Sequence, residues 1–293
     1  MSVALLLPAI FAVGCGTVAG LIRWPLRPMP AVRILTATAV GVGMTVATVL
    51  VALAVGFLAR SALLFSLIEW CPVVPLHHHV GYLEGVTAIL ALAVGGIRAR
   101  RVLRRWRWAA EGTAGRHLWI LDSDESVAYA APGDPGCVVV SRGLLDALEP
   151  RERQVVLAHE RAHLYHRHHR YLLASELAVA LVPLLRPLAV QICLAIERSA
   201  DESAVSALGG DRRLVARTIA HAAITRSVHE GLGGAIGGGS ATARVNALIG
   251  PPDTPAMVML ALGAVATTAT LAFAAGSMEI YNLVGLIGHL CHV

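Results

Sequence analysis

The chain has 293 residues, 56% of them hydrophobic and 15% charged, against roughly 25% charged in an ordinary soluble domain; its mean hydropathy is +0.66. All 24 basic residues are arginine, set against 19 acidic ones for a formal charge of +5, so the positive charge is permanent and no lysine chemistry is open to it. This composition argues against a free cytosolic enzyme, and five cysteines without a C-x-x-C pair support neither a zinc ribbon nor a disulfide scaffold.

Four apolar stretches, Val3 to Leu21, Ile34 to Leu58, Val80 to Ile97 and Ala256 to Ala275, each approach the roughly 20 residues that a spanning helix needs. The first lacks a preceding positive residue and a clear small-residue cleavage site, which favours an uncleaved span over a signal peptide. Arginine sets the orientation, because positively charged loops resist translocation. The first connection carries Arg23, Arg27 and Arg33, and the third carries Arg98, Arg100, Arg101, Arg104, Arg105 and Arg107, whereas the second has only Arg60 against Glu69. Both chain ends are thus expected outside and residues from about 99 to 254 inside. Trp106 and Trp108 among the inner arginines read as headgroup anchors rather than as a nucleic-acid patch. In the outer loop, His77, His78 and His79 present no fixed metal geometry, and Cys71 and Cys291 fall on the same side without any sign that they approach.

The expected boundaries are helix 1 at 1–24, helix 2 at 32–59, an outer loop at 60–79 and helix 3 at 80–98. An inner domain at 99–254, helix 4 at 255–276 and an outer tail at 277–293 complete them. Within the inner domain, Ser126 to Ala130 and Cys137 to Ser141 flank a turn-rich stretch and read as two short strands. Glu149-Pro150 opens a helix, with Glu152 in its first turn.

That helix runs through Leu157-Ala-His-Glu-Arg-Ala-His163. His159 and His163 are four residues apart, so their imidazoles project from one face, one turn above the other, and can bind the same zinc ion. Glu160 sits beside the open coordination position, where a carboxylate can take a proton from the attacking water and hand it to a leaving amine. Glu197 is the best third ligand; Asp201, four residues on, is placed to accept a hydrogen bond from a ligand imidazole, while Glu202 reads as a solvated charge. His166, His168 and His169 read as a solvated or headgroup-facing cluster at the helix end.

The apolar stretch Tyr171 to Ile196 contains Glu176, Arg186, Pro183 and Pro187, which disfavours a simple span. A single crossing would also separate His163 from Glu197. The stretch is therefore expected to form a helical hairpin that turns near Pro183 to Pro187, packed on the domain or dipping into the membrane.

Four runs together resemble a membrane-embedded gluzincin metallopeptidase of the BlaR/MecR type: Val138-Val-Val-Ser-Arg-Gly-Leu-Leu145, the His159 helix, Glu197-x-x-x-Asp201 and Arg244-Val-Asn-Ala-Leu248 ahead of the last span. The HtpX-like and CAAX prenyl protease families share the zinc motifs. The resemblance implies a mainly α membrane protein with four transmembrane helices and a cytoplasmic α+β zinc peptidase domain between the third and fourth. It implies Zn2+ bound by His159, His163 and Glu197, Glu160 as general base and acid, and Asp201 in support of the ligands. An extended substrate would pair with the edge strand at Val127, Ala128, Tyr129 and Ala130, although a strand that merely completes a small sheet is nearly as good a reading. Arg213 and His221 are candidate oxyanion stabilisers that fit surface or packing roles better.

The receptor members carry a penicillin-binding sensor after the last span, whereas this chain ends shortly beyond it, so no sensing by such a domain is expected. The expected activity is zinc metalloendopeptidase cleavage of peptide bonds at the cytoplasmic face of the cell membrane. Its partners would be the lipid bilayer and a protein or peptide substrate, a transcriptional repressor being one candidate, with no direct nucleic-acid contact. General membrane-protein quality control is the alternative. A non-catalytic scaffold that keeps the metal site is a further one, against which the intact Glu160 argues, because a structural zinc needs no general base.

Overall fold

The computed structural model describes residues 2–22, 24, 26–58, 80–111, 115–230 and 235–250. The expected fourth span, the outer loop, the tail, Cys71, Cys291 and His77 to His79 lie outside the described residues. The architecture is mostly helical. Helices α1 (Ser2–Leu21), α2 (Pro28–Leu58) and α3 (Tyr82–Glu111) precede a small sheet of β1 (Leu118–Leu121), β2 (Ala128–Ala131) and β3 (Cys137–Ser141). Six more helices follow: α4 (Arg142–Ala147), α5 (Pro150–Tyr165), α6 (His168–Leu181), α7 (Arg186–Ala207), α8 (Arg212–Glu230) and α9 (Ala235–Ile249), with a 3-10 turn at Pro183–Leu185 between α6 and α7.

Among the described residues, α2 alone is long and apolar enough to cross a membrane; Leu6–Leu21 of α1 is a shorter apolar helix. α3 starts apolar and runs on as one helix through the arginine cluster, all six of whose side chains from Arg98 to Arg107 are exposed.

The strand order is β1-β3-β2, with β1 parallel and β2 antiparallel to β3. β2 and β3 correspond to the two expected strands, whereas β1 is four apolar residues, Leu-Trp-Ile-Leu, with no polar alternation to mark it. Ser141 ties this corner together: its hydroxyl accepts from Val127 N at 3.0 Å and from Leu144 N at 3.3 Å, capping α4.

Two of the buried clusters bring together the helices around the site. One unites α1, α2, α6 and α7 around Leu35, Leu185, Leu188, Ile192 and Ile196, each at most 2% exposed. The other joins α5, α7, α8 and α9 through Val155, Ala204, Val215 and Leu248. The apolar hairpin thus lies against the N-terminal helices. Pro183 and Pro187 sit in the first turns of their helical segments, where a missing N–H costs nothing. Glycine permits the close fit: a Cβ on Gly20 would run into the Leu188 backbone, one on Gly16 would meet Leu185 and one on Gly95 would meet Leu181. Thr17 adds a hydrogen bond to the Leu184 carbonyl at 3.3 Å.

Candidate metal centre

Helix α5 owes its start to local chemistry. Pro150 occupies the first turn, and the Glu149 N–H donates to Glu152 at 3.1 Å. Glu152 is itself 2% exposed and takes a further bond from His221 Nδ1 at 3.0 Å, which locks α8 to the start of α5. Two turns on, the His159 and His163 rings meet edge to face with centroids 4.8 Å apart and Nε2 atoms 3.1 Å apart. Glu197 on α7 faces both, 3.5 Å from His159 Nε2 and 3.7 Å from His163 Nε2.

All ligand atoms of His159, His163 and Glu197 lie within 4.8 Å of one another. Nitrogen and oxygen ligands held about 2.0–2.1 Å from a tetrahedral zinc stand about 3.3 Å apart. Both the donor set and the spacing therefore fit zinc, with only small shifts needed. The three side chains are 13%, 15% and 27% exposed, so the cluster opens to solvent without being flooded by it.

The surroundings aim these donors. Asp201 Oδ1 lies 3.0 Å from His159 Nδ1, leaving Nε2 to face the centre. Arg244, reaching across from α9, donates to both oxygens of Asp201 at 2.8 and 2.6 Å, and its Nη1 stands 3.0 Å from Glu197 Oε2. One guanidinium thus grips the candidate ligand and the residue behind the other ligand. Nothing in the local sequence marks Arg244 for this role; its partners are 43 and 47 residues away in sequence, beyond any local spacing rule.

Charge balance follows from this packing. For His159, burial opposes the charged form, but the Asp201 and Glu197 carboxylates outweigh it and raise the pKa to about 9. His163 goes the other way, down to about 4, through burial and the positive neighbour His159. Burial would raise Glu197, yet His159 and Arg244 hold it down at about 2. Asp201 is likewise lowered, its burial being outweighed by the Arg244 and His159 hydrogen bonds. Without metal, the two histidines share one proton and the carboxylates stay ionised.

Glu160 is half-buried on the same helix, near enough to Arg244 to act on its charge. Two expectations need correction. His168 is fully buried rather than solvated, with Nδ1 3.1 Å from His163 Nδ1, and His166 Nε2 lies 3.2 Å from Ser203 Oγ. Glu202 is not a free charge but a two-pronged partner of Arg212, at 2.8 and 2.5 Å. Arg213 is exposed on α8, and His221 sits with Glu152, eight residues and about 12 Å of helix axis before Glu160. The guanidinium at the cluster is instead that of Arg244, half-buried with its side chain 16% exposed.

β2 forms one edge of the sheet and packs against α5. Ala128, Tyr129 and Ala130 belong to it, with Tyr129 exposed; Val127 precedes it, its carbonyl bonded to Ser141 N at 2.8 Å.

No curated protein and no solved structure matches the chain. Residues 100–228 match the family model of peptidase family M48, a segment that holds His159, Glu160, His163, Glu197 and Asp201 and that supports the M48 metallopeptidase family.

Proposed function

We propose that this protein is a membrane-embedded zinc metalloendopeptidase whose active site faces the cytoplasm. The observation that carries the reading is the convergence of His159, His163 and Glu197 within 4.8 Å, in a segment matched by a peptidase family. Zinc, when bound, supplies Lewis-acid polarisation of the scissile carbonyl and of a water.

The protein's own residues do the rest. Glu160 accepts the proton of the attacking water and delivers it to the departing amine. Asp201 keeps His159 in the tautomer that presents Nε2, and Arg244 restrains Glu197 while offsetting the carboxylates around it. The substrate chain lies extended along the edge at Val127, Ala128, Tyr129 and Ala130, where main-chain pairing accepts many sequences.

The membrane part rests on α1, α2, the apolar start of α3 and the fourth apolar stretch at 256–275, with the arginines holding their inner ends in the cytoplasm. The α6–α7 hairpin packs among these helices, and exposed Leu184 and Val190 suit it to dip into the inner leaflet. Cleavage then occurs close to the membrane face. The BlaR/MecR-type likeness favours a repressor protein as substrate.

The deciding experiment compares Glu160→Gln with wild type. The variant should bind zinc at unchanged stoichiometry and lose cleavage by at least about a hundredfold, as expected when the general base is removed; a Gln variant that still cleaves would sink the mechanism. Material trapped on that variant in cells identifies the substrate. Enrichment of one DNA-binding repressor supports signalling, while many damaged membrane proteins support quality control.

A further inference from the structure

The polypeptide reverses sharply between α5 and α6. Arg167 adopts a left-handed conformation, φ 53° and ψ 42°, rare for a residue with a side chain. The reversal folds His168, first residue of α6, back beneath the candidate ligand His163. Their rings meet edge to face, with centroids 4.9 Å apart, and the two Nδ1 atoms are 3.1 Å apart. His166 stacks on the far side of His168 at 5.4 Å. His168 is completely buried, and its Nε2 finds no hydrogen-bond partner among the described residues.

Two ring nitrogens in contact require one proton between them: one donates and one accepts. The Nε2 of His163 faces His159 and Glu197, so a metal-binding His163 gives that lone pair to the centre and carries its proton on Nδ1. The Nδ1 of His168 must then be the acceptor, and the proton of a neutral His168 goes to the unpartnered Nε2. A charged His168 would be a fully buried imidazolium pressed between the His163 and His166 rings, with no hydrogen-bonded carboxylate to offset its desolvation.

We infer that His168 is the positioning residue of His163, a neutral acceptor that fixes its Nδ1–H tautomer and aims its Nε2 at the metal. The inference rests on the proposed reading of His163 as a ligand. The two histidines are thereby supported differently, His159 by the Asp201 carboxylate and His163 by an uncharged ring.

The test measures zinc affinity of the full-length protein by chelator competition. His168→Leu keeps bulk but cannot accept; it should bind zinc about 10–100-fold more weakly. His168→Asn offers an amide oxygen to the same N–H and should stay within about threefold of wild type, far inside that range. A Leu variant with wild-type affinity, or an Asn variant as weak as a poor Leu variant, overturns the assignment. Should the Leu variant not fold, ring nitrogen NMR of the zinc-loaded wild type decides. The proton of His168 on Nε2 supports the inference, and on Nδ1 overturns it. His163→Ala keeps the two claims apart. If it retains wild-type affinity, the ligand reading itself falls; if it loses zinc while His168→Leu does not, only the positioning role falls.

Discussion

At the residue scale, protons and metal compete for the same atoms. The His159 pKa of about 9 means that zinc must displace a proton at neutral pH. Apparent zinc affinity should therefore rise about tenfold per pH unit from 7 toward 9 and flatten above, as one released proton requires. Isothermal titration across that range checks it, and a flat profile would contradict the charge state derived for the cluster. Metal-free stability runs in the opposite direction. The raised value contributes stability that is full below the ordinary 6.5 and is lost as pH climbs through about 9. Glu197, held at about 2, contributes throughout this window and would fail only in strong acid.

At the element scale, the contact of α1 with α7 is a matter of clearance. Gly20 and Gly14 both lie on α1, but a Cβ at Gly20 collides with the Leu188 backbone, while one at Gly14 meets nothing within 4 Å. Gly20→Ala should destabilise the protein by about 1–3 kcal/mol, the usual cost of overpacking. Gly14→Ala should be neutral or slightly stabilising through helix propensity. Thermal unfolding of the two variants side by side measures the difference; equal midpoints would show that the contact is not made. What could be read from sequence here is what is local or forced by closure. The two histidines announce themselves by a four-residue spacing, Asp201 by the same spacing from Glu197, and the hairpin by its prolines and the need to bring Glu197 back to His163. Arg244 was hidden because its partnership exists only once α9 crosses α7. For His168 a polar, arginine-rich neighbourhood suggests solvent, whereas the backbone reversal at Arg167 turns that one ring inward.

At the scale of the whole molecule, the exposed arginines of α3 stand where an apolar helix becomes a charged one. If those arginines mark the cytoplasmic face, the sheet that follows lies in the cytoplasm. The exposed turn residue Gly115, just before β1, is a suitable insertion point. Green fluorescent protein inserted there should fluoresce in cells, and alkaline phosphatase inserted there should be inactive. The reverse pair of results would invert the topology.

The placement of the three candidate ligands on different supports has a mechanical consequence. His159 and His163 ride on α5, which packs on the sheet, α6, α7 and α8; Glu197 rides on α7, whose other end is wedged against α1 and α2. The two helices also pack directly on each other, sharing the buried cluster of Val155, Ala204 and Val205, so the carboxylate and the imidazoles meet across one continuous helix contact. Among the described residues, α7 is thus the one helix that belongs both to the apolar cluster with α1 and α2 and to the cluster under the histidines, so the position of Glu197 is set by the packing of both.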